Sequence, residues 1–223
     1  MRRIVGAAFQ SLDGVMQAPG GKSEDPTGGF DQGGWQFKFP DPSADETLGP
    51  LLGGEYDLLL GRRTYDIFAA YWPYVEGEEA GVGRAFTRAA KYVLTHGSQP
   101  LEWDNSHRLK SIADVAALKA GDGPELRIWG SSTIYPGLLA AGLLDRLVLM
   151  TYPLTLGKGK RLFGDGTPPG ALRMVDHKVT PAGTVVATYE PAGPIPAEAP
   201  HQPAPATSAR EAERQQRMAE GTW

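Results

Sequence analysis

Short apolar runs alternate with helix-length segments along most of this chain, and that alternation restricts the fold more than any other feature. Arg3–Phe9, Tyr56–Leu60, Lys91–Thr95, Leu126–Trp129 and Arg146–Leu154 read as strands. Between them, Pro42–Leu52, a segment opening at Arg62, Gly83–Ala90, Ser111–Lys119 and Thr133–Ala141 suit helices, with Ser43 available to cap the first. Strands separated by helices pair in parallel, and an interior parallel strand is apolar on both faces, as Tyr56–Leu60 is. Leu172–Val179 and Thr184–Glu190 flank the turn sequence TPAG and form a closing hairpin. The expected fold is α/β: a mixed, mostly parallel sheet flanked by helices, with a C-terminal antiparallel hairpin, over residues 1–191. Residues 192–223 form a Pro/Ala-rich linker and then a polar tail whose REAERQQRMAE stretch suits a marginal helix.

Composition removes several classes of function. With 22 Lys and Arg against 26 Asp and Glu, no global basic field favours nucleic acid, so any anion site is local. The chain has no cysteine, which excludes disulfides, thiolate nucleophiles and cysteine-metal sites and fits a cytoplasmic protein. Nothing resembles a signal peptide, and the apolar stretches near Leu58 and Leu138–Leu149 are interrupted before membrane-spanning length. His96, His107, His177 and His201 show no ligand spacing, so no metal site is expected. No serine lies in a nucleophile-elbow motif.

Two strand ends carry the chemistry. LLLGRRTYD ends an apolar run at Gly61 and opens a helix with Arg62, Arg63 and Thr64. The free N–H groups of a helix start favour anions, and arginine grips phosphate through several donors. LRIWGSSTIY repeats the arrangement, with Gly130 followed by Ser131, Ser132 and Thr133. Thr95 ends a strand between the two, and all three line a crevice if they share the carboxyl edge of a parallel sheet. Such a crevice suits a dinucleotide, although no G-x-G-x-x-G follows the first strand.

Together these segments resemble the dihydrofolate reductase-like superfamily. GRRT resembles the Gly-Arg-x-Thr segment of dihydrofolate reductases and WGSSTIY their Gly-Gly-x-x-x-Tyr segment. SLDG at Ser11–Gly14 and PLTLGKGKRLF at Pro153–Phe163 are more similar to relatives that include the C-terminal reductase domain of riboflavin biosynthesis. The resemblance implies NADPH as cofactor. It assigns Gly61, Arg62, Arg63 and Thr64 to the cofactor phosphates, Thr95 to the adenosine 2′-phosphate, Gly130, Ser131, Ser132 and Thr133 to the pyrophosphate, and Ala7 and Ala8 to the nicotinamide amide. It sets Tyr135 close to the reacting ring, as a catalytic candidate, and Asp45 where the family's proton-assisting carboxylate falls. Ser131 and Ser132 depart from the glycines common there.

The activity implied is a reductase acting on a small heterocyclic or conjugated substrate of pteridine or pyrimidine type. The alternatives are the pyrimidine reductase of riboflavin synthesis and a non-catalytic nucleotide-binding or scaffold protein. The relatives also imply a homodimer. Several residues keep two readings. Asp45 and Glu46 are either functional acids or favourable charges at a helix start. Asp13 either contacts substrate or makes an Asx turn before Gly14. Trp35, Phe37 and Trp129 either wall a substrate pocket or belong to the core. GKGKR at Gly157–Arg161 is either a phosphate site or a solvated loop.

Overall fold

In the computed structural model, which describes residues 1–198 and 208–222, the chain divides into two units, Met1–Gly193 and Pro194–Trp223. The first unit opens with strand β1 (Ile4–Ser11), a long connection, and helices α1 (Pro42–Asp45) and α2 (Leu48–Leu52). Strand β2 (Tyr56–Gly61) leads directly into α3 (Arg62–Tyr71), followed by α4 (Ala80–Arg88), β3 (Lys91–Leu94) and β4 (Ser106–Leu109). Then come α5 (Ile112–Ala120), β5 (Glu125–Trp129), α6 (Tyr135–Ala140), β6 (Arg146–Tyr152), β7 (Leu172–Val179) and β8 (Val185–Pro191).

The strands form one eight-stranded sheet in the order β4-β3-β2-β5-β1-β6-β8-β7. β1 to β6 pair in parallel, and β8 runs antiparallel between β6 and β7. The expected mixed, mostly parallel sheet with an antiparallel C-terminal hairpin is therefore present. β2 shows why its sequence is apolar throughout: Leu58, Leu59 and Leu60 are all 0% exposed, because both faces are covered. Leu58 and Leu60 pack with Tyr65 of α3, Phe86 of α4 and Trp129. Leu59 points the other way and packs with Val115 of α5, Leu138 of α6, Ile4 and Ile128. Truncating any of the three leucines to alanine should cost about 2–5 kcal/mol.

Three local details differ from expectation. The first helix breaks in two, because Pro50 cannot donate to the carbonyl of Glu46, and so α2 restarts with Pro50 in its first turn. Its N-cap is Asp41 rather than Ser43: Pro42 takes the first helical position, and Asp41 Oδ1 accepts the Ala44 N–H at 3.2 Å. β4 was not expected, since SHRL carries a single apolar residue. By contrast, Ser111 and Asp114 form a reciprocal capping box at the start of α5, close to where a helix was anticipated.

The second unit contains α7 (Ala209–Glu220), capped by the Ser208 hydroxyl, with no buried residue and ion pairs Arg214–Glu211 and Arg217–Glu213. Residues 199–207, which include about half of the Pro/Ala run and His201, lie outside the described residues.

Candidate functional site

The order of the strands reverses at β5. After β1 the chain moves to β2 and on to the β4 edge, and then returns to fill the slot between β2 and β1. Open α/β sheets bind ligands at such a reversal, beyond the carboxyl ends of the strands. Both glycine junctions lie there. α3 starts at Gly61 without a side-chain cap, so the N–H groups of its first turn are unsatisfied by the chain's own side chains. At the end of β5, Gly130 and Ser131 both take left-handed backbone, at φ 65° and 58°. For serine this costs about 1–2 kcal/mol.

Two hydrogen bonds hold Ser131 in that conformation. Gly61 N–H donates to Ser131 Oγ at 2.9 Å, and Ser131 N–H donates to Thr64 Oγ1 at 3.2 Å. The hydroxyls thus stitch the two junctions together, while each retains its own proton for a ligand. A Cβ on Gly61 would lie 3.4 Å from Thr133 Oγ1 and one on Gly130 3.6 Å from Thr64 Oγ1, ordinary contact distances, so at Gly130 the left-handed backbone rather than lack of space favours glycine. Ser132 is half-buried and Thr133 exposed in the short turn that follows. Ala7 and Ala8 are buried in the middle of β1, where its pairing with β5 ends and the Ala7 carbonyl accepts the Gly130 N–H at 3.4 Å.

Beyond β3, a cavity of about 430 Å³ is lined by Thr95, His96, Gly97, Ser98, Arg108 and Lys110. Arg108 and Lys110 belong to the unanticipated β4 and its exit, and two-residue spacing puts both cations on one side of the strand. Arg62 donates through Nη1 to the Gln99 carbonyl at 2.9 Å, and Arg108 donates to the same oxygen and to the Gly97 carbonyl. Two guanidinium groups therefore meet at the rim of this cavity. Arg62 also pairs with Asp66 through Nε at 2.9 and 3.0 Å. Arg63 is exposed, 3.9 Å from Asp25.

The long glycine-rich connection after β1 packs down over this region. Trp35, 1% exposed, donates from Nε1 to the Gln17 carbonyl at 2.9 Å and stacks edge-on against Tyr152. The Met16 methyl lies 3.9 Å from where a Gly130 Cβ would be. Asp13 accepts from Ser11 Oγ at 2.6 Å and from the N–H groups of Leu156 and Gly157 at 3.0 and 2.8 Å. Burial raises its pKa, but these donors outweigh burial and hold it below the usual carboxylate value. Asp25 is lowered likewise: burial opposes, and the bonds from Lys160 and Thr27 prevail. GKGKR is thus a fastening for the first loop, with Lys160 at Asp25 and Arg161 Nε donating to the Asp13 carbonyl at 3.0 Å.

Asp45 is exposed at the end of α1, and its pKa is raised by partial burial and by the charge of Asp41. Its field, after burial, helps push the Tyr152 hydroxyl up to about 12. Glu46 pairs with Lys178 at 3.3 Å. Trp129 is 7% exposed between Phe9 and Phe86, and its Nε1 has no partner. Phe37 is 64% exposed. Tyr135 lies beneath the sheet, with its hydroxyl against Gly6 and no access to solvent; burial pushes its pKa up. The structure therefore brings Gly61–Thr64, Gly130–Thr133 and the middle of β1 at Ala7 together, while Trp35 and Tyr135 sit in the packed interior. Among the described residues no group of three metal-ligating side chains occurs, and no helix is long and apolar enough to cross a membrane.

Comparison with known proteins is consistent along nearly the whole first unit. The family model described as the RibD C-terminal domain matches residues 2–187. The uncharacterized protein YyaP of Bacillus subtilis (strain 168) is 25% identical over 193 residues, covering 84% of this chain and 94% of its own. A putative riboflavin biosynthesis protein from Shewanella sp. PV-4 superposes with a TM-score of 0.62 at 21% identity, over 85% of this chain and 99% of that one. A pyrimidine reductase-like protein from Corynebacterium diphtheriae gives 0.56 at 16% identity, over 86% and 92%. Dihydrofolate reductase from Enterococcus faecalis, complexed with NADP(H) and RAB-propyl, gives 0.50 at 16% identity, over 85% and 96%. The fold is dihydrofolate reductase-like.

Proposed function

This chain belongs to the RibD C-terminal domain family, and from that premise we propose that it is an NADPH-dependent reductase passing hydride to a small pteridine- or pyrimidine-type heterocycle or another conjugated compound. The observation that carries this reading is the uncapped start of α3, stitched to Gly130–Ser131 and flanked by the Arg62–Arg108 rim. These residues fit a phosphorylated dinucleotide. The first-turn N–H groups of α3, Arg63, Thr64 and the Gly130–Thr133 turn suit the pyrophosphate. Thr95, Arg62, Arg108 and Lys110 suit a terminal 2′-phosphate, which two guanidinium groups and an ammonium bind far better than a bare hydroxyl. Ala7 and Ala8 suit the amide of the nicotinamide.

NADPH, when bound, supplies the hydride. The chain's part is to hold the rings face to face, exclude water and deliver a proton beside the reduced carbon. Asp45 is the acid in this reading, because its raised pKa keeps it protonated to higher pH than an ordinary carboxylate. Turnover should then fall as pH rises through that raised value. Asp13 is committed to fastening its loop. Tyr135, Trp35 and Trp129 act from within, supporting the strand ends against which the substrate rests.

NADPH oxidation measured against a panel of pteridines and pyrimidines tests the proposal. Asp45→Asn should lower kcat at least tenfold, in line with acid catalysis worth about 10²–10⁴, while NADPH affinity changes less than about twofold. Unchanged turnover would move the acid elsewhere. A narrower form, the pyrimidine reductase of riboflavin synthesis, is favoured by the descriptions of two structural neighbours. NADPH binding without turnover of any panel member would favour a nucleotide-binding scaffold.

A further inference from the structure

A second cavity, of about 400 Å³, lies between the turn Trp72–Tyr74 and α4, walled by Trp72, Pro73 and Val75 and by Arg84, Thr87 and Arg88 of the helix. α4 hands the chain to β3 within three residues, and the charge of Arg88 acts on the hydroxyl of Tyr56, the first residue of β2. The cavity therefore sits by the amino ends of these strands, whereas the crevice lies beyond their carboxyl ends. Packing fixes its walls. α4 approaches the turn so closely that a Cβ on Gly83 would lie 2.5 Å from the Trp72 carbonyl oxygen and 2.7 Å from Val75 Cγ1, so glycine alone fits there. The Trp72 ring stands edge-on to Phe68, Tyr71 and Phe86, at 6.0, 5.1 and 5.0 Å between ring centres, and stays half-buried.

Arg84 and Arg88 are four residues apart, so they share one face of α4, and both are exposed. Among the described residues neither pairs with a carboxylate, although Glu76, Glu78 and Glu79 stand close by in sequence and Glu79 accepts the Tyr71 hydroxyl instead. Arg62, Arg127 and Arg146, by contrast, each hold a carboxylate. A favourable charge at the helix C-terminus accounts for Arg88 but not for Arg84, a turn further in. On a chain of net charge −4 the pair makes a local positive field beside an apolar wall. We propose that this cavity binds a small aromatic anion, its ring against Trp72, Pro73 and Val75 and its carboxylate or phosphate gripped by Arg84 and Arg88 with the Thr87 hydroxyl between them. The proposal is independent of the reductase reading, because none of these residues belongs to the crevice. Guanidinium forks match either anion through paired hydrogen bonds, and about 400 Å³ is room for a small ligand.

Titration calorimetry of the full chain with naphthoate tests this. The wild type should bind it with a Kd below about 1 mM, and Arg84→Ala with Arg88→Ala, both exposed and so compatible with folding, should weaken binding about tenfold or more. Naphthalenemethanol, which keeps the rings without the charge, and inorganic phosphate, which keeps a charge without the rings, should each bind at least about tenfold more weakly than naphthoate. Whichever of naphthyl phosphate and naphthoate binds more tightly identifies phosphate or carboxylate as the anion. Arg62→Ala with Arg108→Ala, at the crevice rim, should leave naphthoate binding unchanged. No binding at about 10 mM naphthoate, binding that survives the loss of Arg84 and Arg88, or binding that disappears with Arg62 and Arg108 would each overturn the proposal. Naphthalenemethanol or inorganic phosphate binding as tightly as naphthoate would overturn it equally.

Discussion

β4 and β7 close opposite edges of one sheet, yet β4 turns its cations toward a cavity and β7 turns apolar side chains toward water. β4 is short and polar, and Arg108 is fixed by the Gly97 and Gln99 carbonyls before any ligand arrives. β7 is longer and exposed at every residue, with charge on one face and apolar groups on the other. The difference separates two kinds of recognition. A pre-held cation favours a specific anion with little ordering cost, whereas an unheld apolar face favours a large, shape-matched surface.

The sharpest way to break this contrast is to remove the cations. Arg62→Ala with Arg108→Ala should weaken NADPH about 100-fold or more, because charge-assisted hydrogen bonds are worth about 1.5–3 kcal/mol each, while NADH should change less than about threefold. Equal losses in calorimetric titration would assign both arginines to the pyrophosphate or to the fold.

A smaller effect concerns how the β7–β8 hairpin is tied down. Asp41, 4% exposed, caps α1 and accepts the Thr180 hydroxyl at 2.6 Å, joining the first helix to the hairpin turn. Burial raises its pKa, but Thr180, Thr184 and the Ala44 and Ser43 N–H groups bring it below the ordinary carboxylate value. Asp41→Ala should cost about 2–3 kcal/mol in urea unfolding. For a lowered carboxylate, the stabilisation is fully present above the unfolded value near pH 4 and disappears as pH falls through the folded one. Asp41→Asn should flatten that acid limb; an unaltered limb would show that Asp41 contributes nothing to it. Smallest of all, truncation after Gly193 should move Tm by less than about 2 °C, since α7 buries no residue. A large fall would mean the tail supports the body.

The strand-to-helix junctions were legible because their signals are local. An apolar run stopping at Gly61 before Arg-Arg-Thr describes β2 and α3 almost to the residue. β4 was invisible, because a half-exposed edge strand shows little periodicity, and with it went Arg108 and Lys110. The packing of the first loop was equally unreadable: Asp13 and Asp25 find their partners at Leu156, Gly157 and Lys160, far along the chain. Neighbouring residues suggested an Asx turn or a substrate contact for Asp13, and only the return of 154–161 across the sheet reveals a fastening. Trp35 and Tyr135 illustrate the same limit, since composition does not distinguish an aromatic wall from an aromatic core.

The central claim is that the crevice between the Gly61 and Gly130 junctions holds NADPH, and titration calorimetry with NADPH and NADH at two salt concentrations tests it most directly. Micromolar NADPH binding, at least about tenfold tighter than NADH and weakened by salt, is the predicted result. Equal affinity for the two would contradict the assignment of the Arg62–Arg108 rim, and binding of neither would contradict the crevice itself.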